Sequence, residues 1–208
     1  MDCGLTYSRT AALTKELAAY LQSLGLKPGD RVAIMMPNLL QYVIAMYACL
    51  RAGYIVVNIN PLYTSREVNG TLRDSEAKAI IIIENFAKTL QNALPGTKCE
   101  HIITTAVGDL FPFFKRTLVN FVVRKVKKMV PEYSLPNAVG FNEALEIGRR
   151  HGFTAHEIHN TDIAFLQYTG GTTGVAKGAI LTHRNLLANL QQVGYWLSLI
   201  HISEPTRP

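Results

Sequence analysis

The 208-residue chain is 48% hydrophobic and 17% charged, which supplies a sizeable core and excludes wholesale disorder. Its 21 basic and 15 acidic residues leave a net charge of +6, and no apolar run approaches the ~18 residues of a membrane span. Cys3, Cys49 and Cys99 are an odd number at wide spacing, which fits neither a disulfide framework nor a metal-ligand set and reads as a soluble, reduced, cytoplasmic chain.

The first residues, Met1 to Gly4, lack the basic-then-apolar pattern of a secretory signal. Leu13, Leu17, Leu21 and Leu24 then repeat at helical spacing, with Ser8 as N-cap and Gly25 as the stop. Arg31 to Met36 predicts a buried strand closed by Pro37. Asn38 caps a second helix that runs to Gly53. Tyr54 to Ile59 is rich in β-branched and aromatic residues and predicts a second strand. Thr64-Ser65-Arg66-Glu67 has capping-box spacing, so a third helix starts there. Lys78 to Ile83 predicts a strand, Phe86 to Leu94 a helix, and Glu100 to Thr105 a fourth strand. Alternating helices and continuous apolar strands imply an α/β fold, a mostly parallel sheet flanked by helices on both faces.

The excess charge sits in one segment. Between Leu110 and Pro131 stand Lys115, Arg116, Arg124, Lys125, Lys127 and Lys128 and no acid. At 100° per residue Leu118, Val122, Val126 and Met129 share a stripe, with Arg124, Lys127 and Lys128 opposite. Two readings fit this basic amphipathic insertion. It is a surface helix packed on the body with its charges solvated, or it contacts an anionic membrane. Charge confined in this way does not describe a nucleic-acid surface, and no nucleic acid is expected as a partner.

Residues 136–160 are irregular in pattern, apart from a short helix near Phe141 to Ile147. His151, His156 and His159 fall here without the cysteine or paired carboxylate that would complete a metal site. Asp162 to Tyr168 returns to strand.

The segment that carries chemistry follows: Tyr168-Thr169-Gly170-Gly171-Thr172-Thr173-Gly174-Val175-Ala176-Lys177-Gly178. It holds four glycines, three threonines and one lysine. Glycines let backbone N–H groups turn toward a ligand, hydroxyls add donors, and lysine adds a mobile cation. Successive N–H groups in a tight turn make an anion-binding nest suited to polyphosphate. The pattern is not a Walker loop, because Ala176 and Gly178 flank Lys177. Nor does it contain the Gly-x-Gly-x-x-Gly of a dinucleotide fold. On composition alone, a glycine-rich hairpin without a ligand is the competing reading.

This segment closely resembles the phosphate-binding signature of the adenylate-forming superfamily. The match extends through Leu166-Gln167-Tyr168 before it and Ala179-Ile180-Leu181-Thr182-His183-Arg184-Asn185 after it. Upstream, Gly29-Asp30-Arg31-Val32-Ala33, Met36-Pro37-Asn38, Arg51-Ala52-Gly53 and Asn58-Ile59-Asn60-Pro61-Leu62-Tyr63-Thr64 are similar to the same family. Ala176, where most of the superfamily has proline, is a feature shared with the bacterial long-chain fatty acid–CoA ligases. The resemblance spans about Leu5 to Val193.

The resemblance implies ATP-dependent activation of a long-chain fatty acid to acyl-AMP, followed by transfer to coenzyme A. It implies ATP, Mg²⁺ and coenzyme A as cofactor and co-substrates. It assigns nucleotide binding to Tyr168, Thr169, Gly170, Gly171, Thr172, Thr173, Gly174, Val175, Ala176, Lys177, Gly178 and Ala179. The backbone of Gly170, Gly171 and Gly174 would cradle the β- and γ-phosphates, Thr172 and Thr173 would assist, and Lys177 would neutralise charge. Thr169 is the candidate Mg²⁺-side hydroxyl. His183 is weighed between a structural role and a substrate contact, with no other catalytic residue expected in these residues.

Residues 1–197 are thus expected to be a truncated part of the large N-terminal AMP-binding domain, inactive by itself. Residues 198–208 do not resemble the family and are expected to be an artefact of adapter or vector sequence. The expected location is cytoplasmic, with peripheral contact at the inner face of the cell membrane through the basic helix. Another acid–CoA ligase and a non-catalytic membrane-associating module are the competing functions.

Overall fold

Four apolar runs become neighbouring strands: Arg31–Met35 (β1), Ile55–Asn58 (β2), Ala79–Ile83 (β3) and His101–Thr105 (β4). They are seen in a computed structural model of the chain, which describes residues 4–169 and 177–203. Ala138–Gly140 (β5), Ile163–Thr169 (β6) and Lys177–Thr182 (β7) complete a seven-stranded sheet of order β5-β4-β3-β1-β2-β6-β7. Every pairing is parallel except the last, where β7 runs antiparallel to β6.

The strands alternate between two cores, as a period of two requires. Val32, Ile34, Val56 and Ile81 face one side, where Tyr7–Ser23 (α1), Leu40–Arg51 (α2) and Phe141–His151 (α6) supply Leu17, Ile44 and Phe141. Ala33, Met35, Ile80 and Ile82 face the other side, against Val68 and Leu72 of Ser65–Ser75 (α3) and Leu90 of Ala87–Ala93 (α4). Both faces are covered, so a nearly unbroken apolar strand such as Ala79–Ile83 loses all its surface to protein.

Several local expectations hold and two shift. Thr64 and Glu67 form the reciprocal capping box at the start of α3. Gly25 follows α1 at φ +80, the left-handed geometry glycine adopts most easily. The cap of α1 is Thr6, whose hydroxyl accepts the Arg9 N–H, because the helix begins one residue before Ser8. Asn38 does not cap α2; Leu39 stands at that place in an extended conformation without a side-chain cap.

The basic insertion folds as Phe113–Phe121 (α5) and a π-helical turn over Val122–Val126. Its packing leaves Lys125, Lys127 and Lys128 solvated, as that reading expects, but corrects the apolar stripe packed on the body. None of its residues is buried, and Phe114 and Leu118 are 87% and 63% exposed. Polar side chains turn inward instead. Asn120 accepts the Gly108 N–H and donates to Asp109. Arg124, expected in solvent, donates to Glu84, whose side chain is 4% exposed at the end of β3. An apolar contact would have had to compete with these charge-assisted bonds, which are about twice as strong as neutral ones.

The last helix, His183–Ser203 (α7), continues past Leu197 with helical backbone to Ser203. Among the described residues no helix is long and apolar enough to cross a membrane.

Candidate functional site

In parallel α/β sheets ligands gather beyond the carboxyl ends of the strands. β6 leaves the sheet at that edge, and β7 re-enters beside it. The ladder between them runs Gln167↔Ala179, Tyr168↔Gly178 and Thr169↔Lys177. The seven residues that join the strands, Gly170, Gly171, Thr172, Thr173, Gly174, Val175 and Ala176, lie outside the described residues. The structure therefore brings the flanking candidates Tyr168, Thr169, Lys177, Gly178 and Ala179 together at one rim. Lys177 is exposed there, its backbone paired with that of Thr169.

Two fixtures hold this rim. β2 pairs with β6 only as far as Asn58↔Gln167, where the Asn58 amide donates to Gln167 Oε1 at 3.0 Å and accepts the Tyr42 hydroxyl at 3.2 Å. Tyr168, one residue further, is 6% exposed and donates its hydroxyl to Asp74 Oδ2 on α3 at 2.5 Å. Burial, followed by the Asp74 carboxylate, pushes the Tyr168 phenol well above the usual tyrosine range. Its ring lies across the strand on Gly178, where an added Cβ would sit 3.1 Å from ring carbon Cζ. A side chain at 178 would press on this ring, which would have to give by a few tenths of an ångström.

His183 lies elsewhere. β7 carries the chain ~17 Å from Lys177 to Thr182 at ~3.4 Å per residue. His183 therefore begins α7 at the opposite end of the strand. It lines a groove of about 410 Å³ with Tyr7, Thr10, Thr14, Tyr47 and Arg51 of α1 and α2. Its N–H donates to the Asp162 carbonyl. Asn185 is a cap: its Oδ1 accepts the Thr182 N–H and hydroxyl, while Thr182 Oγ1 accepts the Asn185 N–H. The structure thus places His183 at the far end of β7 from Lys177 and gives Asn185 a helix-starting task.

Other reactive groups are also accounted for. Burial pushes the Cys49 thiol far up and the Cys99 thiol up to about 12, which leaves neither as a thiolate nucleophile. Among the described residues no group of three or more His, Cys, Asp or Glu is placed to hold a metal ion. His156 packs against Gly53, and the His159 N–H donates to Asp162.

Sequence reasoning missed Asp74 and Gln41. Asp74 lies far from Tyr168 in sequence, and only the packing of α3 beside β6 joins them. Gln41, 2% exposed, donates to the Ala106 carbonyl and ties α2 to the end of β4. Neither carries a local signal.

Known proteins share this arrangement. The sequence profile of the AMP-binding enzyme family matches residues 2–204. The chain is 56% identical over 190 residues to the long-chain-fatty-acid–CoA ligase of Salmonella typhimurium, covering 91% of this chain and 34% of that protein. It is 52% identical over 204 residues to the ligase of the same name from Haemophilus influenzae, covering 98% and 36%. The crystal structure of a long-chain-fatty-acid-CoA ligase from Archaeoglobus fulgidus superposes with a TM-score of 0.70 at 28% identity, over 93% of this chain and 33% of that one. The chain spans about a third of the length of these relatives. On the strength of the match along nearly its whole length, the chain belongs to the AMP-binding enzyme family.

Proposed function

We propose that the polypeptide to which these residues belong activates a long-chain fatty acid with ATP and transfers it to coenzyme A. The fatty-acid carboxylate attacks the α-phosphate, forming acyl-AMP and releasing pyrophosphate. The thiol of coenzyme A then attacks the acyl carbon, loses its proton, and releases AMP. The observation that carries this reading is 56% identity over 190 residues to a ligase of that name, across the whole β6–β7 region.

Within this reading, the backbone N–H groups of Gly170, Gly171 and Gly174 cradle the β- and γ-phosphates, with the Thr172 and Thr173 hydroxyls beside them. Lys177 offsets phosphate charge as pyrophosphate departs. The exposure of Lys177 beside the Thr169 pair supports that role. The described residues hold no carboxylate cluster for a cation, so Mg²⁺ would arrive with the triphosphate and meet the chain through the Thr169 hydroxyl. When bound it neutralises phosphate charge.

The test is acyl-CoA formation from palmitate, MgATP and coenzyme A by the polypeptide at the length of its relatives. Product that depends on all three substrates supports the reading. ATP turnover with no acyl-AMP, or none at all, overturns it.

A second reading concerns the basic insertion, which we propose as a contact with anionic lipid. It is supported by the outward placement of Phe114, Leu118, Phe121 and Val126, all more than half exposed, among Lys115, Lys125, Lys127 and Lys128. Each cation near such a surface contributes about 1 kcal/mol. Co-sedimentation with phosphatidylglycerol vesicles, absent with phosphatidylcholine and lost in Lys125→Gln/Lys127→Gln/Lys128→Gln, is the expected result. Equal sedimentation of the triple variant contradicts it.

A further inference from the structure

Away from the hairpin, a groove of about 550 Å³ opens between the start of α2 and the turn that follows β4. Leu39, Leu40 and Val43 form its α2 wall, and Val107, Leu110 and Phe111 form the wall of the turn. No charged residue lines it. The volume lies within the roughly 300–1,000 Å³ of small-molecule pockets. Both walls follow the carboxyl ends of parallel strands, β1 and β4, the edge of an α/β sheet where ligands gather.

The two walls are tied together without any ligand. Gln41, 2% exposed, donates its amide to the Ala106 carbonyl at 3.0 Å and holds α2 against the turn. The turn closes on itself through Asp109, whose Oδ2 accepts the Ala106 N–H at 2.7 Å and the Thr105 hydroxyl at 2.9 Å. Leu39, Val107 and Leu110 also pack on the core beneath α1, α2 and α6, so the walls keep their spacing. Beyond Phe111 stands a cation. Lys115 Nζ lies 5.2 Å from the centre of that ring, and among the described residues it has no ion-pair partner. Asp109, the acid of the same turn, is engaged by the donors just named and by the Asn120 amide.

An apolar trough with one unpaired cation beside it and no acid along it matches an amphiphile with a single anionic head. We propose that this groove holds a fatty acid before its activation, with the hydrocarbon along the two walls and the carboxylate at Lys115. The identity of the amphiphile rests on the proposed acyl activation; the groove itself involves no residue of the β6–β7 hairpin. β1 and β4 stand two and four strands from β6, about 10 and 19 Å at ~4.8 Å per strand. A chain leaving the groove therefore reaches the end of β6 along one edge of the sheet, without crossing it. Burial of hydrocarbon supplies the attraction, and the cation decides which end of the ligand lies beyond Phe111.

The test uses the polypeptide at the length of its relatives, without ATP, and a palmitate analogue carrying a diazirine in mid-chain. After illumination, the peptides that contain residues 38–43 and 107–111 should carry the label. Lys115→Gln should raise the half-saturating concentration for these peptides about tenfold, the loss of one charge-assisted contact. Lys115→Arg should stay within about threefold of the parent, and Lys127→Gln, which removes the same charge elsewhere on the insertion, should match it. Decanoate should compete at least about a hundredfold less well than palmitate, because each buried methylene contributes roughly fourfold in affinity. Val43→Asp, at a position already 38% exposed, puts a charge in the trough and should abolish labelling. Label absent from both peptides overturns the proposal, the result expected if another part of the polypeptide covers the groove. Label indifferent to Lys115→Gln overturns it as well. Palmitoyl-CoA formation by the same preparation separates the two readings. Product without groove labelling overturns this proposal alone; labelling without product leaves the groove a fatty-acid site and overturns the activity.

Discussion

Arg124 grips Glu84 with two nitrogens: Nε lies 2.9 Å from both carboxylate oxygens and Nη2 lies 2.6 Å from Oε2. The pair joins the π-helical turn to the carboxyl end of a central strand, and it raises the already high pKa of the guanidinium, chiefly through that hydrogen bonding. The carboxylate is almost wholly enclosed while the arginine is half exposed. Removing the arginine is therefore the damaging change. Arg124→Ala should cost about 2–3 kcal/mol by leaving a buried carboxylate without its donors. Arg124→Lys, with no planar fork, should recover only part of that. Urea unfolding of the three proteins checks the order.

The same bond settles which way the insertion faces, so Arg124→Ala should also loosen it. Protease cleavage between Phe113 and Met129 is expected to accelerate in that variant and not in Lys127→Ala, whose side chain is exposed. Equal cleavage rates would mean that the Glu84 tether does not hold the segment.

α6 and α1 approach closely at Gly148. A Cβ at Gly148 of α6 would stand 1.8 Å from the Glu16 carbonyl oxygen of α1. No rotamer relieves that overlap, because the obstacle is backbone. Gly148→Ala must push α6 off α1, which also strains the Arg149–Glu16 ion pair at 2.9 Å and the Gln22–Thr154 bonds beside it. A loss of at least ~3 kcal/mol is expected from overpacking of this kind. Differential scanning calorimetry should register it as a fall of roughly 6–12 °C for a domain of this size.

Asp30 predicts an acid limb. Burial pushes its carboxyl up, but the Lys27 N–H at 2.8 Å and the Lys78 ammonium at 2.7 Å outweigh burial and hold it below its usual 3.8. A carboxyl lowered by folding contributes stability above its unfolded value, and that stability is lost as pH falls through the folded value. Asp30→Asn should therefore cost about 1–2 kcal/mol at neutral pH, and the difference from the parent should close below about pH 4. A difference that stays constant from pH 7 to 3 would contradict the assignment.

Much of the sheet was legible because its central strands, β1, β2 and β3, are buried on both faces. Ala79 to Ile83 has no polar residue to suggest any other fate, and Thr64 with Glu67 declares the start of α3. The three residues of β5 carry too little pattern to separate from a loop, and Phe141 to His151 extends one turn beyond its apolar spacing. Periodicity found the stripe on the basic insertion but could not say which side faces inward. That depends on Glu84 and Asp109, which are distant in sequence. The π-helical turn then changes the angular spacing on which the stripe was drawn. At the candidate site, the glycine–threonine run was visible at once because its residue types are unusual. Asp74 was not, since a tyrosine hydroxyl can find its acceptor anywhere the fold brings one. His183 sits within a few residues of Lys177 in sequence, and a single extended strand is enough to carry it out of reach.

The account depends on the segment between β6 and β7 receiving a nucleotide's phosphates, and Lys177, exposed where that segment rejoins the sheet, is the probe. Lys177→Ala removes an exposed side chain, so its thermal stability should match the parent to within about 0.5 kcal/mol. With both proteins at the length of their relatives, calorimetric titration with MgATP at matched ionic strength should show uptake by the parent and binding weaker by about 10- to 150-fold in the variant, the loss of one charge-assisted contact. Identical affinities in the two proteins, or no uptake by the parent, would contradict the account.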